Sequence, residues 1–184
     1  MGRLDLLKKW GTKMRFTLSL AALAATLVVA TPAVAQQASA TAEARGVVLS
    51  PLTLTRVSDL DFGTVASSAT AGTVAVNATS GIRSVTGGVT AVPSTFSRAE
   101  FTGLAQAATT VQLTLVPPTG NQLYSGTNFI NIAAGSMGFD SAGTTRVVPA
   151  GGSFTAYVGA SFDIAANQPN GTYSALFQVT ADYQ

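Results

Sequence analysis

The stretch GGSFTAYVGASFDIAANQPNGTYSALFQVTADYQ, residues 151–184, decides the fold class because it holds two alternating runs separated by a turn. A period of two in apolar residues is typical of a β-strand that buries one face. The first run places six apolar residues on one face: Phe154, Ala156, Val158, Ala160, Phe162 and Ile164. The second run does the same with Tyr173, Ala175, Phe177, Val179, Ala181 and Tyr183. Residues 167–171 supply the turn between them, so the pattern predicts a long strand followed by a terminal strand.

Shorter runs of the same kind recur along the chain and are separated by turns that contain glycine or proline. They predict strands at 47–56, 60–65, 73–78, 88–92, 109–116 and 129–133. Ala, Thr, Gly, Ser and Val dominate, and no segment has helical spacing. Many short strands with regular turns predict an all-β fold, namely an antiparallel β-sandwich of the immunoglobulin-like kind, with a β-barrel as the alternative.

The N-terminal residues predict export rather than structure. Residues 14–35 form a signal peptide with a basic start, an apolar run of about 14 residues and a small-residue cleavage motif at Ala33-Val34-Ala35. Residues 1–13 precede a complete signal peptide, so they are interpreted as a misassigned upstream start or an extended basic region. The predicted mature chain is an N-terminal arm, 36–46, followed by the sandwich domain, 47–184. Its expected location is the periplasm, the cell surface or the extracellular space.

The mature composition argues against several classes of function. Removing residues 1–35 leaves five arginines against seven carboxylates, a net charge of −2, so no basic surface remains for nucleic acid. The chain has no Cys and no His, and its three lysines all lie before residue 36. The usual nucleophiles, general bases and metal ligands are therefore missing. We expect no enzyme activity and no cofactor.

Two segments together resemble the bacterial domain-of-unknown-function family numbered 4402. They are SPLTLTRVSDLDFGTVASSATAGTVAVNATSG, residues 50–81, and ANQPNGTYSALFQVTADYQ, residues 166–184. The resemblance implies an exported β-sandwich and supplies no activity. More distantly, the layout is similar to chaperone–usher pilins and spore-coat-U-type subunits, which implies that the sandwich is pilin-like. Their last strand has a glycine fourteen residues from the end and an aromatic residue in the second-to-last position, here Gly171 and Tyr183. Unlike classical pilins, the chain has no disulfide pair.

The similarity to pilins implies assembly through edge strands, in which the terminal strand accepts a strand from another chain. The predicted acceptor side comprises Gly171, Tyr173, Phe177, Val179 and Tyr183. The predicted donor is the arm, whose alternating alanines are Ala38, Ala40, Ala42 and Ala44. Alanine methyls bury little apolar area, which predicts a weak donor unless Val47 and Leu49 extend it. Expected partners are the secretion machinery, other copies of the chain, and a periplasmic chaperone and usher, with membrane contact only during export.

Two further hypotheses come from side-chain chemistry. Asp59 and Asp61, two residues apart, could begin a calcium site, although a solvated turn explains them better because calcium takes six to eight oxygen ligands. Tyr124, Phe139 and Tyr157 could form an aromatic platform for a sugar. The alternative function is therefore a secreted binding module for polysaccharide or another surface ligand, built on a self-complete sandwich.

Overall fold

A computed structural model describes residues 37–184, and the predicted signal peptide and upstream residues lie outside them. Residues 46–184 form one compact unit. The first seven strands are β1 Thr53–Ser58, β2 Val65–Ala66, β3 Gly72–Val76, β4 Arg83–Gly87, β5 Thr90–Ala91, β6 Ala99–Leu104 and β7 Thr110–Val116. The others are β8 Gln122–Ser125, β9 Asn128–Ile132, β10 Gly138–Phe139, β11 Thr145–Val147, β12 Ser153–Ile164 and β13 Gln178–Tyr183. One 3₁₀ turn, Thr119–Asn121, precedes β8, and no helix in residues 37–184 is long and apolar enough to cross a membrane.

Strand β12 organises the fold because it pairs with four other strands. Its first half pairs antiparallel with β6, and its second half pairs antiparallel with β3. Val158 pairs with both Ala99 of β6 and Phe139 of β10, so those two strands lie on opposite edges of β12. The same geometry recurs at Phe162, which pairs with β3 and β9. All the strand pairs are antiparallel, and the predicted all-β sandwich is confirmed.

The first half of β12 forms one part of the core. Strands β1, β6 and β12 face a second sheet in which β7 lies between β11 and β13. Six buried side chains fill the space between them: Ala105, Val111, Leu113, Val148, Phe154 and Ala156. The Phe154 ring lies directly over Gly103, where a Cβ atom would overlap the ring.

The second half of β12 supports another hydrophobic cluster. Phe62 and Phe162 meet edge to face, with ring centroids 4.4 Å apart, which is a favourable arrangement for aromatic pairs. Around them lie Val74, Val76, Val89, Ile130, Ile132, Ala160 and Ile164. The segment that contains Phe62 therefore packs as predicted, but as an irregular chain with a single bridge between Asp61 and Ser97.

Several strand boundaries differ from those predicted. Residues 47–52 precede β1 without pairing, and Val47 and Val48 are 87% and 95% exposed. Strands β4, β6, β8, β10 and β11 were not predicted. In β6 the reason is visible at Gly103, where the Phe154 ring of β12 fills the space beside the glycine, so no large side chain marks this buried position.

Candidate functional site

The C-terminal segment pairs with two different sheets. Ser174 forms an isolated bridge with Tyr124 of β8, with both backbone N–O distances at 3.0 Å. From Gln178 to Tyr183 the chain instead pairs with β7 as strand β13. The prediction of one strand from residue 173 onward is therefore wrong in its start, because residues 175–177 cross from one sheet to the other. Leu176, in the crossing, is 92% exposed.

Strand β13 is an edge strand whose outer side has no partner among residues 37–184. The Gln184 backbone N–H donates to the Thr110 carbonyl at 3.0 Å, which identifies this pair as hydrogen-bonded toward β7. Because hydrogen-bonding direction alternates along an antiparallel strand, Thr180 also points its N–H toward β7. Val179, Ala181 and Tyr183 point theirs outward. These three residues present the donors and acceptors that an additional strand would use.

The side chains of those same residues face the core without being fully covered. Val179, Ala181 and Tyr183 are half-buried, and the last two pack against the cluster around Phe154. The Tyr183 hydroxyl accepts a hydrogen bond from the Gln106 N–H at 2.7 Å and donates to the Ser50 carbonyl at 2.8 Å. The aromatic residue in the second-to-last position thus ties the end of the chain to two neighbouring segments.

The other predicted acceptor residues lie before β13. Phe177 contacts Phe101 of β6 edge to face, with centroids 6.1 Å apart. Tyr173 packs against the Phe62 cluster, and its hydroxyl donates to the Pro169 carbonyl at 2.7 Å. Gly171 lies against Ser125, where a Cβ atom would overlap the Ser125 hydroxyl oxygen. Gly171 and Tyr173 therefore hold the turn in place, at a distance along the chain from the open edge.

The described part of the predicted donor arm is exposed and contains no strand. Ala38, Ala40, Ala42 and Ala44 are all exposed, and Arg45 binds Glu43 at 2.9 Å. Donation of this arm to another copy stays a prediction.

The open edge of β13 is one of two long edges on the same side of the sandwich. Strand β1, the other, is also six residues long and contacts β13. By contrast, the edge strand β11 has only three residues, and β8 is covered at Tyr124 by the Ser174 bridge. Short or covered edges resist pairing with another chain, whereas long uncovered edges favour it.

Sequence reasoning missed a cleft that lies between β7 and residues 132–144. It has a volume of about 670 Å³, and its apolar lining includes Leu113, Leu115, Ile132, Met137 and Phe139. The side chains that line it include no carboxylate and no cation, so the cleft offers no general acid or base.

The two carboxylates considered for a calcium site each form a local contact. Asp59 binds Arg56, and an Asp61 carboxylate oxygen accepts the Gly63 N–H at 2.8 Å within a tight turn. Across residues 37–184, no three acidic side chains come together in a way that could hold a metal ion. Calcium binding at Asp59 and Asp61 stays a hypothesis.

The three aromatic residues considered for a sugar platform lie in different environments. The Arg98 guanidinium lies 3.4 Å from the Tyr157 ring centroid, so that ring face is covered. Phe139 packs against the Phe154 cluster. Tyr124 is 46% exposed and lies beside Phe129, also 46% exposed, with ring centroids 6.2 Å apart. The three residues therefore do not form one platform. Tyr124 instead lies beside Phe129, which the sequence analysis did not propose.

No curated protein and no solved structure matches the chain. A family model described as "Domain of unknown function (DUF4402)" matches residues 52–183, which run from just before β1 to the end of β13. This match covers the whole sandwich, including the Asp61–Phe62 segment and the terminal strand that carried the resemblance, and the chain belongs to the DUF4402 family.

Proposed function

We propose that this chain is an exported, non-catalytic structural subunit of the cell surface, of a pilus-like fibre or of an extracellular matrix, and that its copies associate through the edge of β13. The observation that carries the proposal is the outward backbone of Val179, Ala181 and Tyr183 on a six-residue edge strand without a partner in residues 37–184. A strand added there would gain a main-chain hydrogen-bond ladder. It would also cover three half-buried apolar side chains.

The composition supports a structural role over a catalytic one. The full sequence has no Cys and no His, and the predicted mature part has no Lys. The signal-peptide pattern of residues 14–35 supports export, with the secretion machinery as the first partner. An uncovered edge of this length would be prone to premature pairing in the periplasm, which supports a chaperone and usher as further partners.

Substitutions that change only the outer edge test the proposal. Ala181→Pro removes an outward N–H and leaves the hydrogen bonds to β7 in place, because proline is tolerated on the free side of an edge strand. Thr180→Pro would break the ladder with β7 and is expected to unfold the strand. Leu176→Ser serves as the matched control, since it removes an exposed apolar side chain outside β13.

Size-exclusion chromatography with light scattering over a wide concentration range provides the measurement. The exported protein and Leu176→Ser should form concentration-dependent oligomers, whereas Ala181→Pro should be monomeric with an unchanged circular dichroism spectrum. Deletion of residues 36–46 tests the donor: loss of oligomers would identify the arm. A parent protein that is monomeric at every concentration, or an Ala181→Pro variant that still assembles, would contradict the proposal.

A further inference from the structure

The β8–β9 hairpin displays aromatic and amide side chains together on its outer face. Tyr124 pairs with Phe129 across the hairpin, and Gln122 pairs with Asn131 two residues further along. Residues two apart on a strand share a face, so these four side chains lie on one surface. The opposite face carries Leu123 and Ile130, which point into the Phe62 cluster.

Hydrogen bonds fix the orientation of these outer side chains. The Tyr124 hydroxyl donates to the Gln122 side-chain oxygen, and Gln122 Nε2 donates to Asn131 Oδ1 at 3.0 Å. The backbone beneath is also held, since Gln168 Nε2 donates to the Phe129 carbonyl at 3.0 Å. A surface fixed in this way loses little conformational entropy when a ligand binds.

A row of polar side chains continues across the sheet from this hairpin. Asp163 of β12 is the register partner of Asn131, and Thr73 of β3 is the partner of Asp163. Thr73 in turn faces Thr86 of β4, and their hydroxyl oxygens are 2.6 Å apart. With strands about 4.8 Å apart, the row from β8 to β4 extends for roughly 19 Å along the sheet.

The row contains one ionisable group, the exposed carboxylate of Asp163. Its other members are two amides and two hydroxyls, which both donate and accept hydrogen bonds. A ligand matched to this surface is elongated, rich in hydroxyl groups, uncharged, and has an apolar face for the two rings.

We propose that this aromatic–amide face binds a neutral polysaccharide. The Tyr124 and Phe129 rings would contact the apolar face of a sugar ring, while Asn131 and Asp163 would bind hydroxyls of the same or the next unit. The Asp163 carboxylate accepts hydrogen bonds from hydroxyls and repels anionic polysaccharides. The face lies on a different part of the sandwich from the β13 edge, so the site goes beyond the assembly proposed above and does not depend on it.

The test uses the exported protein produced from the full coding sequence. Isothermal titration calorimetry is run with neutral β-1,4-glucan, β-1,3-glucan and β-1,4-mannan hexasaccharides and with an anionic oligogalacturonate. The variants are Tyr124→Ala, Phe129→Ala and Asp163→Asn, with Leu176→Ala as the matched control for loss of an exposed apolar side chain. Nuclear magnetic resonance shifts on titration locate the binding surface.

We expect at least one neutral hexasaccharide to bind, with amide shifts centred on residues 122–131, and the oligogalacturonate not to bind. Each aromatic substitution should weaken binding about ten-fold or more without a change in melting temperature. Leu176→Ala should bind like the parent, and Asp163→Asn should reduce discrimination against the anionic sugar. Ala181→Pro should abolish assembly and leave this binding intact, so the two proposals fail separately. No binding to any of the four sugars, or shifts centred elsewhere, would overturn the inference.

Discussion

Breaking the buried ion pair between Asp140 and Arg146 should cost more stability than breaking any other ion pair in the described domain. The Arg146 guanidinium is 7% exposed and the Asp140 side chain 11%, and they meet at 2.9 Å. Arg146 also donates to three backbone carbonyls, at 2.7 to 3.0 Å. Asp140 additionally accepts the N–H groups of Ala142 and Tyr157. The pair therefore joins the turn before β11 to the central strand β12.

Removing one partner leaves the other charge buried without a counter-ion. We expect Asp140→Ala and Arg146→Ala each to lower the free energy of unfolding by about 3–5 kcal/mol. The double substitution should cost less than the sum of the two by about 1–3 kcal/mol, because removing the second group eliminates the unpaired charge. Urea denaturation followed by circular dichroism gives these free energies.

The Arg56–Asp59 pair is the matched control, because the two side chains are 63% and 69% exposed. Water and salt screen such a pair, so Asp59→Ala should cost less than about 1 kcal/mol. Losses below about 1 kcal/mol at Asp140 and Arg146, additive in the double variant, would refute the reasoning. They would show that water reaches the buried pair and replaces the missing partner.

Three smaller substitutions test local packing, each by urea denaturation against Gly151→Ala, a position where an added Cβ meets nothing within 4 Å. Gly103→Ala should cost about 1–3 kcal/mol because the new methyl group overlaps a phenylalanine ring, and a neutral result would contradict that packing. Tyr183→Phe should cost about 1–2 kcal/mol through the loss of two hydrogen bonds, and a neutral result would contradict their contribution. Gly171→Ala should cost about 1 kcal/mol by displacing the Ser125 hydroxyl, and a combined Gly171→Ala, Ser125→Ala variant should recover part of that loss.

Long strands with several large inward residues, such as β7 and β12, could be predicted from the sequence, whereas β6, whose buried positions are Ala99 and Gly103, could not. In β12 and β7 the inward positions hold Phe154, Phe162 and Leu113, so the period of two is evident. In β6 the buried Gly103 is fitted to the Phe154 ring beside it, and only the folded structure shows this contact.

Of the two candidate sites, the β13 edge could be predicted from the sequence, and the aromatic pair on the β8–β9 hairpin could not. The position of Val179 and Tyr183 on a terminal strand follows from alternation alone, and both lie on β13. The Tyr124–Phe129 pair depends on the register of a hairpin with a four-residue first strand, which the sequence does not specify. Tyr124 could be named as a candidate, but its neighbour could not.

The continuous alternation from Tyr173 to Tyr183 serves two sheets rather than one. Alternation specifies which side chains face inward, but it is the same whichever strand provides the hydrogen bonds. Here Tyr173 packs on the Phe62 cluster, whereas Ala181 and Tyr183 pack on the Phe154 cluster. Residues of this same C-terminal segment thus pack against both hydrophobic clusters. A strand added at β13 would therefore extend an existing sheet instead of supplying a missing part of the core. The added strand would stabilise the assembly mainly through main-chain hydrogen bonds. An alanine-rich strand can form those bonds, because they do not depend on side-chain size.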